Sequence, residues 1–290
     1  MRIEARAKIN WTLDILGQRE DGYHLMDMLM QPVTLCDTVL LSPADEVSLT
    51  CGGTPLLLAD EKHLALRAAR ALKAATGFAG GAAIHVEKRI PVGAGMGGGS
   101  ADAAAVLAGL NRLWGTGLTQ AELEAIGLTL GADVPFCLRG GLTRTTGIGE
   151  RMEDLPCGRC YPLVVVQPCE GLSTREIFTA YHAADDLPRP DNAAAAAALA
   201  AGDTSSLSAA LGNVMQPVSC QRRPAIAEAI EALPQHGAFA AQMTGSGSAV
   251  IGAFGSASAA EAARDVLLCR WERVFLCETC MESLVIHDDD

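Results

Sequence analysis

The chain has 290 residues, enough for two ordinary domains with their own cores, and 49% hydrophobic against 19% charged residues excludes a disordered chain. A net charge of −12 argues against a nucleic-acid binder that tracks phosphates with clustered Lys and Arg. The first residues carry charge from Arg2 onward without a signal-peptide core, and no apolar stretch reaches the roughly 18 residues of a membrane span. A soluble, cytoplasmic protein with no membrane and no nucleic-acid partner is expected.

Between Ile3 and Ile15 apolar residues hold the odd positions and mostly polar ones the even, which predicts a strand or bent strand pair with one wet face. Lys8, Asn10 and Thr12 share that face. Asp21-Gly22 signals a hairpin turn, with Tyr23 and His24 just past its tip. Asp60 to Gly77 has helical spacing and a glycine stop, and "AAIHVEKRI" alternates as a strand that feeds a run of glycines. Beyond that run, Thr119-x-x-Glu122 is a capping box and Gly131 stands at the C′ position, which leaves Asp133 in a short loop closed by Pro135.

The Pro and Gly of "DLPCGRC" mark a seam near residue 155, dividing the chain into residues 1–155 and 156–290. The second part opens with the apolar strand "YPLVVVQP". An Ala-rich helix follows at 192–201, and "FAAQMTGSGSAVIGAF" reads as strand, Gly/Ser loop, strand. Ser258-x-x-Glu261 caps a helix, and "RVFLC" is a last strand before the acidic tail "HDDD". Paired strands alternating with helices predict an α+β fold with mixed or antiparallel sheets.

"PVGAGMGGGSADAAAVLAGLN", from Pro91 to Asn111, places five glycines in the seven positions from Gly93 to Gly99 ahead of an Ala-rich helix. Glycine inside an element costs roughly 0.5–1 kcal/mol against Ala, so the run serves something that lies against bare backbone. Ser100 is a good N-cap for a helix from Ala101, and a helix start with free N–H groups binds anions, phosphate above all. Gly93-Ala94-Gly95-Met96-Gly97-Gly98 matches G-x-G-x-x-G, yet no second strand ending in an acidic residue follows. No Lys precedes Ser100 as in a P-loop, and the protein-kinase segments are absent. Ten cysteines in a chain of this kind read as free, small core residues. Cys157/Cys160 and Cys277/Cys280 have ligand spacing, but a zinc site would require the two pairs to meet in space.

The glycine run resembles the phosphate-binding motif of the GHMP kinases, which phosphorylate galactose, homoserine, mevalonate and related alcohols. "ARAKINWTLDILGQREDGYH", "LGADVPFCLRGG" and "MTGSGSAVIGAF" follow the order of that family's motifs, and the resemblance runs from Ala5 to about Val274. It implies a two-domain α+β fold, with an N-terminal domain like ribosomal protein S5 domain 2 and a C-terminal ferredoxin-like α/β sandwich. "AKIN", "DGYH" and "GADVPF" together resemble one branch, whose substrate is a cytidine diphosphate-linked methylerythritol phosphorylated by ATP at its 2-hydroxyl, on the non-mevalonate route to isoprenoid precursors.

On that resemblance Asp133 is the general base and Lys8 its catalytic partner, an ammonium that stabilises negative charge during transfer. The ATP phosphates lie along Pro91, Val92, Gly93, Ala94, Gly95, Met96, Gly97, Gly98, Gly99, Ser100 and Ala101. Asn10, Tyr23, His24, Thr174 and Phe178 match substrate-binding positions, with Tyr23 and Phe178 stacking on the base and His24 reading its polar edge. Gly245, Ser246 and Gly247 match a turn that braces the phosphate loop. Mg2+ is implied with ATP, no residue is marked as its ligand, and a monomer or weak homodimer is expected. His63 stands where Asn is common, and "TRTTGIGE" and "NVMQP" at Asn213 also depart from the pattern. Another small-alcohol kinase and a non-catalytic ligand-binding relative are the alternatives; Tyr23 and His24 speak against the first, the Lys8/Asp133 pair against the second.

Overall fold

The computed structural model describes residues 1–22, 24–53, 61–181 and 187–287, and these hold twelve strands and ten helices. β1 (Arg2–Gln18) and β2 (His24–Ala44) form a long antiparallel hairpin. β3 (Ser48–Gly52) runs parallel to β4 (Gly81–Glu87), which lies beside β2. β5 (Leu142–Gly147) and β6 (Arg151–Leu155) extend another stretch of β2. α1 (Leu64–Thr76), α2 (Gly98–Leu113), α3 (Gln120–Leu130) and α4 (Val134–Arg139) pack on this sheet around α2, whose small Ala side chains let it lie close on β1 and β2.

β7 (Pro162–Val166), β9 (Ala240–Met243), β10 (Val250–Ala253) and β11 (Val274–Glu278) make a second, antiparallel sheet in the order β11-β7-β10-β9. α9 (Pro224–Gln235) and α10 (Ala257–Leu267) pack on it, and α5 (Thr174–Ala180), α6 (Asn192–Ala201), α7 (Thr204–Ala210) and α8 (Gln216–Arg222) fill the connections. The fold is thus α+β with mixed sheets. Two short strands of the second part return to the first sheet: β8 (Gly212–Asn213) runs parallel to β1, and β12 (Leu284–His287) pairs antiparallel with residues 2–5. "RVFLC" is therefore not the last strand.

Four local expectations need correction. The polar face of β1 is not wet: Lys8, Asn10 and Thr12 are all at most 5% exposed. The second part covers Asn10 with its sheet edge, Gln242 donating to the carbonyls of Asn10 (3.0 Å) and Trp11 (2.7 Å) and Asn10 N to Thr244 Oγ1 (3.0 Å), while Lys8 N bonds to Met96 O (3.0 Å) and Thr12 pairs with Gly212 of β8. Ser100 does not cap α2, which begins two residues earlier behind Gly97. Ser256 caps α10 in place of Ser258, accepting from Ala259 N. Gly131 closes α3 in an extended conformation, with Pro135 starting α4 where a loop was expected; the capping box of Thr119 and Glu122 forms as read.

The two cysteine pairs do come together. Gln31 Nε2 donates to Cys157 Sγ and to the Cys280 carbonyl, each at 3.4 Å, and Thr279 N bonds to Tyr161 O. Among the described residues no three His, Cys, Asp or Glu side chains are grouped to hold a metal, and the ten cysteines are free. Burial pushes the Cys277 thiol up to about 12 and that of Cys280 to about 11, so both remain protonated thiols at neutral pH.

Candidate active site

A cavity of about 1160 Å³ opens between the two sheets, more than one drug-sized ligand requires. Its wall is drawn from β1, the start of β2, the glycine run, the turn before α4, α5 and the loop after β9.

The glycine run owes its path to its neighbours. Gly93, Gly95 and Gly97 have φ of 66°, 75° and 69°, the left-handed region that glycine enters without a Cβ clash. A Cβ on Gly95 would collide with the Thr244 carbonyl, and one on Gly245 would stand 2.6 Å from Gly95 O. Ser248 N and Ala249 N donate to the carbonyls of Gly93 (3.3 Å) and Ala94 (3.2 Å), so the turn around Gly245, Ser246 and Gly247 and the glycine run support each other. Gly97 ends the run as the N-cap of α2 without any side-chain bond, leaving the first N–H groups of a 16-residue helix uncapped.

Lys8 lies under this loop. Its backbone N donates to Met96 O at 3.0 Å, its ammonium donates to Asn10 Oδ1 at 2.8 Å, and Asp133 Oδ2 is 3.7 Å away. Asp133 occupies the N-cap position of α4, where its carbonyl accepts from Cys137 N at 3.0 Å, but its side chain makes no capping bond, and the carboxylate, 35% exposed, is turned towards Lys8. A Cβ on Gly97 would touch both, 3.0 Å from Lys8 Cγ and 3.7 Å from Asp133 Oδ2. An ammonium, a carboxylate and uncapped helix N–H groups thus meet at one point.

At the other end of the cavity the His24 ring stacks on Phe178 with centroids 4.7 Å apart, and Thr174 Oγ1 lies 2.9 Å from Ser246 Oγ. Burial lowers the His24 pKa, favouring a neutral imidazole with one donor and one acceptor. The two rings leave no gap for a third between them. Tyr23 lies outside the described residues. Pro91 to Ser100, Asn10, His24, Thr174, Phe178, Gly245 and Ser246 reach the cavity wall, whereas Ala101 and Gly247 do not. His63 caps α1, accepting from Ala65 N at 3.2 Å as an Asn would, and also faces the cavity.

Among the wall residues that the sequence analysis did not single out is a buried charged pair. Lys88 and Asp102 are bonded to each other at 2.7 Å and both are essentially buried. The only sequence signal was an acidic residue inside an otherwise apolar Ala-rich helix.

Fold and cavity together define a small-molecule kinase of the GHMP class. Residues 63–141 match the GHMP kinases N terminal domain and residues 195–273 the GHMP kinases C terminal domain. A 4-diphosphocytidyl-2-C-methyl-D-erythritol kinase of Symbiobacterium thermophilum is 46% identical over 87% of this chain and 90% of its own length. One of Clostridioides difficile is 35% identical over 99% and 97%. The crystal structure of a 4-(cytidine 5'-diphospho)-2C-methyl-D-erythritol kinase superposes with a TM-score of 0.83 at 33% identity, covering 96% of this chain and 99% of that one. A homoserine kinase from Cytophaga hutchinsonii shares the fold, with a TM-score of 0.73 at 19% identity over 98% and 96%. The chain belongs to the 4-diphosphocytidyl-2-C-methyl-D-erythritol kinase family, and it is an ATP-dependent small-molecule kinase.

Proposed function

We propose that the cavity binds ATP and 4-diphosphocytidyl-2-C-methyl-D-erythritol together and transfers the γ-phosphoryl group to the 2-hydroxyl of the methylerythritol moiety. The observation that carries this reading is the meeting of Lys8, Asp133 and Gly97 at the uncapped start of α2. Asp133 takes the hydroxyl proton; the oxygen attacks the γ-phosphorus, the bond to the β–γ bridging oxygen breaks, and ADP leaves with that electron pair. Lys8 offsets the negative charge that builds on the transferring group, and the N–H groups from Gly95 to Ala101 with the α2 dipole hold the phosphates.

His24, Phe178 and, outside the described residues, Tyr23 receive the cytosine. The rings of His24 and Phe178 must part, or the base must lie on an outer face. Asn10 orients Lys8, Thr174 with Ser246 lies towards the substrate, and the turn at 245–247 supports the phosphate loop. The division at residues 155/156 belongs to the same reading, with the first part carrying ATP and the catalytic pair and the second completing the substrate site. Magnesium is the counter-ion that ATP chemistry implies in this reading, and it would supply charge neutralisation on the phosphates. A cytoplasmic setting, as a monomer or weak homodimer, completes it; no helix among the described residues is long and apolar enough to cross a membrane.

The deciding experiment measures ADP release from Mg-ATP with the cytidylyl substrate and with methylerythritol alone. Turnover with the former only is expected, and equal turnover with both would remove the cytidine site. Asp133→Ala should fold normally and lose about 10²- to 10⁴-fold in kcat; an unchanged rate would remove Asp133 from the mechanism.

A further inference from the structure

The glycine run begins and ends on the same buried ammonium. Lys88, three residues before Pro91, sends its side chain inward, where Nζ bonds to Asp37 of β2 and, at 2.7 Å, to Oδ2 of Asp102 on α2. The other oxygen of Asp37 accepts the backbone N–H groups of Arg89 (2.6 Å) and Ile90 (2.8 Å), fixing the approach to the loop. The ammonium also packs under the loop itself, 3.3 Å from where a Cβ on Gly98 would stand. One residue type at each corner is required for this: a long cation that reaches two elements, and two carboxylates that have no other ion to face.

The charges do not cancel. Two carboxylates against one ammonium leave an excess negative charge, and it sits on Asp102, whose Oδ1 is buried and has no hydrogen-bond partner. Asp102 lies four residues, roughly 6 Å of helix rise, beyond the start of α2 where phosphates would land. A buried carboxylate that shares its one ammonium with a second carboxylate, beneath an anion site, is costly twice over, once through lost hydration and again through repulsion when the ligand arrives.

We propose that Lys88, Asp37 and Asp102 are positioning residues for the ATP phosphates: the ammonium ties the two ends of the glycine loop together, and Asp102 takes up a proton as the nucleotide binds. The inference rests on the assignment of that loop to ATP. Among the described residues, the charged groups acting on Asp102 are Lys88, from the segment after β4, and Asp37 of β2. The neighbouring titratable groups are the thiols of Cys51 on β3 and Cys137 on α4, both pushed up and held protonated chiefly by burial. Burial raises the Asp102 carboxyl to about 7 against the pull of Lys88, so near neutral pH the free enzyme divides between its ionised and protonated forms. Burial also works against the Lys88 charge, but the two carboxylates outweigh it and hold the ammonium on. Phosphates arriving above Asp102 push the carboxyl further towards its protonated form. Nucleotide affinity therefore falls as pH rises above about 7, approaching tenfold per pH unit for a full one-proton linkage.

The test is calorimetric titration with a non-hydrolysable Mg-ATP analogue at about pH 7.5, in two buffers of different ionisation enthalpy, on the wild-type protein and D102N. The nucleotide's own ionisation is common to both proteins, so the difference isolates residue 102. Wild type should take up about half a proton or more beyond D102N; equal uptake overturns the proton linkage. For the tie, K88M should raise KM for ATP about tenfold or more with the alcohol's KM changed less than about twofold, and equal rises in both overturn it. Should K88M not fold, K88R gives the same split in KM, because its fork cannot reproduce the two single contacts. A wild-type protein that binds no nucleotide overturns the ATP assignment of the loop, and this inference with it.

Discussion

Gly97→Ala separates the geometry of the proposed catalytic point from the stability of the fold. The residue has φ of 69°, so a methyl group there carries the left-handed penalty of about 1–2 kcal/mol. The methyl would also stand 3.0 Å from Lys8 Cγ, 3.3 Å from Lys8 Cε and 3.7 Å from Asp133 Oδ2. Lys8 has little freedom to yield, being buried with its ammonium on Asn10 Oδ1 at 2.8 Å. A shift of a few tenths of an ångström to about 1 Å between the ammonium, the carboxylate and the phosphate path is the expected relief, and displacements of that size cost up to about 10²-fold in rate. Melting temperature should fall by only a few degrees. Gly115→Ala is the matched control: φ is 63° and no atom lies within 4 Å of the added carbon, so it carries the same backbone strain away from the site. Steady-state ADP release and thermal melts on both variants decide the matter. If Gly97→Ala keeps kcat within about twofold of Gly115→Ala at equal loss of stability, the loop does not set the Lys8/Asp133 geometry and the reasoning fails.

His24→Ala removes one ring of the stacked pair with Phe178 and should raise KM for the cytidylyl substrate more than KM for ATP; the reverse pattern would assign that end of the cavity to the nucleotide. Arg144 clamps Asp27 with two bonds, Nε to Oδ1 at 2.9 Å and Nη2 to Oδ2 at 2.7 Å, and those bonds hold the Asp27 pKa below the usual carboxylate range. Because the folded value is the lower one, the contribution is present above the unfolded value of about 4 and is lost as pH falls through the folded one. With the guanidinium 40% exposed, Arg144→Ala should cost about 1 kcal/mol at neutral pH, and the gap in melting temperature to wild type should narrow steadily as pH falls below about 4. A gap of the same size in acid would mean that Arg144 acts by packing and not by charge.

How far these features could be read from the chain depended on how local their causes are. The glycine run, the hairpin turn and the capping box of Thr119 and Glu122 follow from backbone chemistry within a few residues, and they stand where expected. The alternation on β1 correctly collected Lys8, Asn10 and Thr12 on one face, but its cover comes from remote chain: the glycine run over Lys8, and Gln242 and Thr244, more than 230 residues later, at Asn10. β12 was missed because its four residues carry no period of their own and form a strand only against residues 2–5. Asp102 was hidden for the opposite reason. Nothing local explains a carboxyl in that helix, and its cause is a lysine before the loop and an aspartate on another strand.

The start of α2 shows where a local rule and a site conflict. Ser100 satisfies every propensity for an N-cap, and capping there would consume one of the N–H donors at the helix start. Gly97 opens the helix earlier, with a left-handed backbone and no side chain to satisfy those donors. The helix forgoes the typical gain of about 1 kcal/mol from a side-chain cap and keeps its positive end bare. That loss has a local purpose only if an anion supplies the missing acceptors, while the carboxylate of Asp102, buried further along the same helix, has its counter-ion in Lys88. Where the chain breaks its own preferences, at Gly97 and at Asp102, the two departures lie within five residues at the start of one helix, and both line the same cavity.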